Sequence, residues 1–170
     1  VSYQPIDEVV QMAFERGEAP LLIILDRVTD VRNFGAIART AECAGVHGII
    51  VPAQNSAQIN ADAMKTSAGA LNFISISKVG DLSKTIDNLK KSGLQIVATY
   101  EKASETYTNI DLTIPTAIII GSEEDGIAPA LLKKADREVK IPIIGRTASL
   151  NASVAAAIII YEAIRHRTKQ

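Results

Sequence analysis

Residues 20–52, PLLIILDRVTDVRNFGAIARTAECAGVHGIIVP, set two apolar runs of strand length around one helical pattern. In PLLIIL (20–25) and GIIVP (48–52) apolar residues do not alternate with polar ones, so each strand is expected to be covered on both faces. A helix is expected over 34–45, with Asn33 placed to cap it. AGV at 44–46 supplies a glycine where that helix should stop. A strand, a helix and a second strand in so short a span imply a parallel pair joined by a crossover.

The alternation continues along the chain. LQIVATY (94–100), TAIIIG (116–121) and VKIPII (139–144) read as further strands, with helices expected over 59–68, 80–92, 127–135 and 151–167. The fold class is therefore α/β, a parallel sheet with helices on both faces. The last helix, in SLNASVAAAIIIYEAI (149–164), is apolar on every side before Glu162, which predicts burial on several sides. Residues 1–18 read as a linker and one amphipathic helix starting near 5–7, expected to belong to an upstream domain. Residues 19–170 form the domain proper.

Composition narrows the function classes. The 170 residues are 47% hydrophobic and 22% charged, with net charge −1, so the chain is globular and has no overall basic character. Cys43 stands alone, which excludes an internal disulfide framework and suits a reducing, cytoplasmic setting. The longest apolar run, 155–161, is too short to span a bilayer, so no membrane partner is expected. There is no GxxxxGK[ST] loop, no GxGxxG after a strand and no GxSxG elbow. His47 and His166 lie far apart, so no metal site is expected. Cys43 reads as a small buried hydrophobe, His47 as a loop residue, and His166 as part of a solvated basic tail. Two modest basic patches are visible: Lys133, Lys134 and Arg137, then Arg165, Arg167 and Lys169.

Three stretches carry candidate chemistry. In DVRNFGAIARTAECAG (30–45), Gly35 and Ala36 allow a ligand or another backbone close to the first helical turn. Arg39, one turn on, is either an anion reader or a plain exposed arginine. In IIIGSEEDGIAP (118–129), a glycine turn follows a strand, where α/β proteins bind ligands. Glu123 there could accept from a ribose hydroxyl or an arginine. In IPIIGRTASLNASVA (141–155), Ser149 or Asn151 could cap the last helix.

Taken in order, NFGAIARTA, GSEEDGI and IPIIG with SLNASVAAAI closely resemble the three signature motifs of the SpoU (TrmH-type) RNA ribose 2′-O-methyltransferases of the SPOUT superfamily. KTSAGAL (65–71) is similar to a segment of the 23S rRNA guanosine-2′-O-methyltransferase branch. The resemblance implies a C-terminal deep trefoil knot and a homodimer. It implies S-adenosyl-L-methionine as cofactor and structured RNA as partner, rRNA first and tRNA second. It implies catalytic roles for Arg39, Asn33, Glu123, Ser149 and Asn151, and cofactor contacts at Thr99, Gly121, Ile141 and Leu150. Residues 1–18 are expected to lead from an upstream RNA-binding domain, and the resemblance makes 19–170 a SPOUT methyltransferase domain. Val31, Glu124 and Ala152 depart from the family's usual proline, glycine and valine. A catalytically silent RNA-binding module, or a metabolite-binding α/β protein, are the alternatives.

Overall fold

The computed structural model describes residues 2–54 and 56–168. Seven strands, β1 (Leu21–Asp26), β2 (Gly48–Pro52), β3 (Ser75–Val79), β4 (Gln95–Thr99), β5 (Glu105–Thr106), β6 (Thr116–Gly121) and β7 (Arg137–Lys140), form one sheet in the order β3-β2-β1-β6-β4-β7-β5. Every pairing is parallel. All six residues of β1 are buried, as its unbroken apolar run predicts. Successive side chains point to opposite faces. Leu21, Ile23 and Leu25 join the core beneath α2 (Val31–Ala44), α3 (Ala61–Thr66) and α6 (Ala152–Thr168). Leu22 and Ile24 join the core beneath α1 (Ile6–Glu15), α4 (Leu82–Lys91) and α5 (Pro129–Leu132).

Several boundaries differ from the sequence reading. The α2 helix starts earlier because Asp30, not Asn33, is its N-cap, accepting from the Arg32 and Asn33 amides. The expected strand over 139–144 ends at Lys140, and Pro142, lacking an N–H, follows where the chain leaves the sheet. The helix expected over 127–135 is the single turn of α5. Two strands are additions. SISKV of β3 is a half-polar edge strand, and β5 has only two residues. The N-terminal segment packs on this same body, since Val9, Val10 and Ala13 of α1 are buried and Gln4 donates to the Ile76 carbonyl.

The last helix is buried on one face only. Ala152, Ala156, Ile159, Ile160, Glu162 and Ala163 are covered, whereas Val154 and Tyr161 are 46% and 48% exposed. Its C-terminal end is not a solvated tail. Arg167 donates to the carbonyls of Leu112, Ala19, Pro20 and Ile114 at 2.9, 2.6, 3.3 and 3.0 Å. His166 accepts from the Leu112 amide through Nδ1, which leaves Nε2–H to donate to Glu162. Arg165 forks onto the same buried carboxylate and, with His166, holds its pKa below the ordinary range against burial. Lys169 lies outside the described residues.

Arg167→Ala is expected to cost about 2–4 kcal/mol, because one side chain serves four carbonyls from two loops. Urea unfolding measures it. A loss under ~0.5 kcal/mol would mean water replaces the guanidinium freely.

Other single residues depart from expectation. Cys43 is exposed, on the outer side of α2. His47 does sit between elements, but it is tied in, accepting from the Leu21 amide and facing Glu18. In the first basic patch Lys134 pairs with Asp87 at 2.6 Å and Arg137 with Glu105 at 3.3 Å, which leaves Lys133 as its unpaired cation among the described residues. Among the described residues no helix is long and apolar enough to cross a membrane, and no cluster of metal-ligating side chains occurs.

Candidate active site

The sheet order reverses between β1 and β6, for β1 leads outward to β2 and β3 on one side while β6 leads outward to β4, β7 and β5 on the other. At such a switch point the connections diverge and leave a crevice beyond the carboxyl ends of the strands. Asp26 and Gly121, the last residues of β1 and β6, stand opposite one another there.

Beyond Gly121 the chain makes a tight turn over residues 122–126. The Gly126 amide donates to the Ser122 carbonyl at 2.9 Å, and the Asp125 amide to Ser122 Oγ at 3.1 Å. Gly126 has φ +65°, a conformation side chains disfavour. Gly121 is bare for another reason. A Cβ there would lie 2.4 Å from the Gly126 carbonyl carbon and 2.6 Å from the Ile127 nitrogen. The two glycines therefore serve one turn.

This turn borders a cavity of about 220 Å³ lined by Thr99, Gly121, Ile141, Ser149 and Leu150, with Glu123 and Val139 among its other walls. Thr99 Oγ1 donates to the Ile119 carbonyl at 2.8 Å, so its hydroxyl also ties β4 to β6. All four residues expected to hold a cofactor share this cavity. Apolar Val139, Ile141 and Leu150 beside the carboxylates Glu101, Glu123, Glu124 and Asp125 suit a ligand with an apolar part and a positive centre.

A second hollow, lined by Arg27, Asp30 and Asn33, shares Ser122, Glu123, Glu124, Asp125 and Ala152 with the first. Glu123 stands in the common wall. Its Oε1 accepts from Asn151 Nδ2 at 2.7 Å, the Ala152 amide at 3.2 Å and Asn33 Nδ2 at 3.3 Å. Asn151 in turn caps α6, its Oδ1 accepting from the Ser153 and Val154 amides at 2.9 and 3.3 Å. Of the two cap candidates, Asn151 is the cap and Ser149 faces the cavity. Of the two polar residues at the entrance of the helix, Asn151 is thus held by the Glu123 carboxylate.

One expectation is corrected here, and one residue stands apart. Asn33 is not a cap but a side-chain donor to Glu123 from inside the first turn of α2. Arg39 does not join the cluster within one chain. It is exposed, lines neither hollow, and has no hydrogen-bond or ion-pair partner among the described residues. Gly35 is bare because α3 crosses it, its missing Cβ falling 2.7 Å from Thr66 Cβ and 2.9 Å from the Ala63 carbonyl.

Asp26 and Arg27 were not singled out by sequence reasoning. Asp26 is buried and accepts from the Ala128 amide at 2.7 Å. Arg27 takes φ +59° and donates to the Gly126 carbonyl at 3.0 Å. A charged pair directly after a buried strand, at its carboxyl end, was the available signal.

Comparison with known proteins identifies the family and the fold. A model of the SpoU rRNA Methylase family matches residues 20–161. YacO of Bacillus subtilis, named provisionally as a TrmH family tRNA/rRNA methyltransferase, is 37% identical over 97% of this chain and 66% of its own length. A tRNA/rRNA methyltransferase of Synechocystis, slr0955, not characterised, is 40% identical over 97% of this chain and 43% of its own. The chain thus spans between about two fifths and two thirds of these relatives. Among solved structures, the SpoU methyltransferase AviRb from Streptomyces viridochromogenes, in complex with AdoMet, superposes with a TM-score of 0.88 at 30% identity, covering 100% of this chain and 67% of that one. The TrmH/SpoU tRNA modifying enzyme of A. aeolicus gives 0.81 at 33% identity, covering 96% and 85%.

Proposed function

The chain belongs to the SpoU rRNA Methylase family, and from that premise we propose that it methylates a ribose 2′-hydroxyl of structured RNA using S-adenosyl-L-methionine. The preferred substrate in this reading is a 23S rRNA guanosine, on the strength of KTSAGAL; tRNA is the second. One observation supports it above the rest. Glu123 ties the three motif segments together in the wall between two hollows, one suited to a cofactor and one open to a second reactant.

The cofactor supplies a methyl group already activated on a sulfonium. Gly121, with the backbones of Ile141 and Leu150, would hold its adenine and ribose, and Thr99 lines the same cavity. What remains for the protein is to orient a weakly acidic hydroxyl for in-line attack and to favour loss of its proton. Glu123 Oε1 takes all three protein donors, whereas Oε2 has none among the described residues and is available to the substrate hydroxyl. Asn33 and Asn151 both hold that carboxylate through Oε1, and Ser149 lines the cofactor cavity. Arginine stays protonated in ordinary surroundings, so Arg39 acts as a clamp on the RNA phosphate rather than as a free base.

The reading includes a homodimer. The uncovered Val154 and Tyr161 of α6, and Ile144, 95% exposed, form apolar surface that a second copy would bury. The same assembly would bring Arg39 of one copy to the hollow of the other. A C-terminal trefoil knot, an upstream RNA-binding domain and a cytoplasmic location belong to the same proposal.

Calorimetry with S-adenosyl-L-methionine, followed by mapping of 2′-O-methyl groups in rRNA and tRNA after incubation with the protein and labelled cofactor, tests it. Cofactor binding with new ribose methylation is the expected result. Binding of RNA without cofactor would favour the silent module, and cofactor binding with no RNA product would favour a metabolite-binding protein.

A further inference from the structure

Beyond Asp26 and Gly121 no strand pairing joins β1 to β6, yet the 122–126 turn must be held, because it carries Glu123. Two side chains do this from the end of β1. Asp26 Oδ2 takes the Ala128 amide at 2.7 Å on the far side of the turn. Arg27 Nη2 reaches the carbonyls of Gly126 at 3.0 Å and Asp125 at 3.4 Å on the near side. The arrangement is retained against two unfavourable features. Arg27 is not glycine but has φ +59°, and its Nε is buried without a hydrogen-bond acceptor among the described residues, Asp26 Oδ2 being 3.6 Å away. Strained residues of this kind persist where the surroundings over-determine them and the strain places something else. Here the left-handed backbone turns the guanidinium across the mouth of the crevice, onto the turn.

We propose that Arg27 is a positioning residue that pins the 122–126 turn, and through it Glu123, between the cofactor cavity and the second hollow. The proposal deepens the function given above and rests on it for the catalytic part. Arg27 need not touch substrate or cofactor. It acts by fixing carbonyls three and two residues beyond the Glu123 Cα, so that Oε1 stays within reach of Asn33 and Asn151.

Amide hydrogen exchange on the intact protein tests the pinning whether or not it is active. Arg27→Gly relieves the left-handed strain and removes the donors. The Asp125 and Gly126 amides are expected to exchange at least about fivefold faster, with the β1 and β6 amides unchanged. Arg27→Lys keeps a charged donor and should restore part of the protection. Exchange within about twofold of wild type in Arg27→Gly would overturn the proposal. For the catalytic part, methyl transfer is compared in wild-type and Glu123→Gln backgrounds. If Arg27 acts through Glu123, Arg27→Gly lowers kcat at least about tenfold in the first and little in the second. An equal loss in both backgrounds overturns the link to Glu123. Faster exchange with no cofactor binding by wild-type protein would instead sink the function and leave the pinning intact.

Discussion

Gly121→Ala should weaken S-adenosyl-L-methionine binding by at least about two orders of magnitude, equivalent to about 3 kcal/mol. The added Cβ meets no flexible side chain that could swing aside. Its nearest atoms are backbone, the Gly126 carbonyl carbon at 2.4 Å and, each at 2.6 Å, the Gly126 oxygen and Ile127 nitrogen. The turn must therefore move, and with it one wall of the cavity and the Glu123 side chain. Gly145→Ala is the matched control, because a Cβ at that position meets nothing within 4 Å. Calorimetry gives the affinities, and thermal unfolding of each variant separates a displaced turn from a lost fold. Wild-type affinity in Gly121→Ala would remove the cofactor from this cavity.

The second large effect concerns Arg39. Arg39→Ala and Glu123→Ala are each expected to lower methyl transfer about 10²-fold or more, since each removes a charged group from the reacting centre. The two differ in where they act. Glu123 serves its own chain's hollow, whereas Arg39 lies outside both hollows of its chain. Mixed dimers, co-expressed with two tags and purified through both, would pair a chain with intact Glu123 against a chain with intact Arg39. Such dimers should recover about half the wild-type turnover, because one of two symmetry-related sites is whole. Mixed dimers as inactive as their parents would place Arg39 in its own chain's site. A monomer at micromolar concentration in light scattering would end the dimer reading outright.

The elements that were legible in the sequence are those whose cause is local. PLLIIL, GIIVP and TAIIIG are apolar apart from Thr116, without polar alternation, and each contains a strand covered on both faces. The periodicity of 80–92 yields α4 within two residues at its start and one at its end. Where local signals compete, the reading slipped. Asp30 and Asn33 are both good cap residues three apart, and only the path of the chain out of β1 chooses Asp30. VKIPII is apolar enough for a strand, yet β4 pairs with β7 only as far as Val139 and β5 only as far as Lys140, and the run leaves the ladder. SISKV carries too little apolar signal to mark β3, which needs β2 beside it to be a strand at all.

The site divides in the same way. Gly121, Glu123, Ser149 and Asn151 could be named from glycine-turn and cap chemistry, and all line or border one cavity. Their relations could not. That Glu123 accepts from Asn33, ninety positions away, and from Asn151 is a matter of which strand ends the sheet order sets side by side. Likewise Arg165, Arg167 and His166 form a basic tail on paper. In the fold His166 and Arg167 secure the last helix to loops at Ala19 and Leu112, and Arg165 pairs with Glu162 within it. Sequence alone determined the parallel α/β fold and the kinds of group at its switch point, because apolar periodicity and turn chemistry act between near neighbours. Tertiary structure decided the partner of every polar group and the separation of Arg39 from Glu123, because a hydrogen bond or an ion pair belongs to whatever the fold brings opposite.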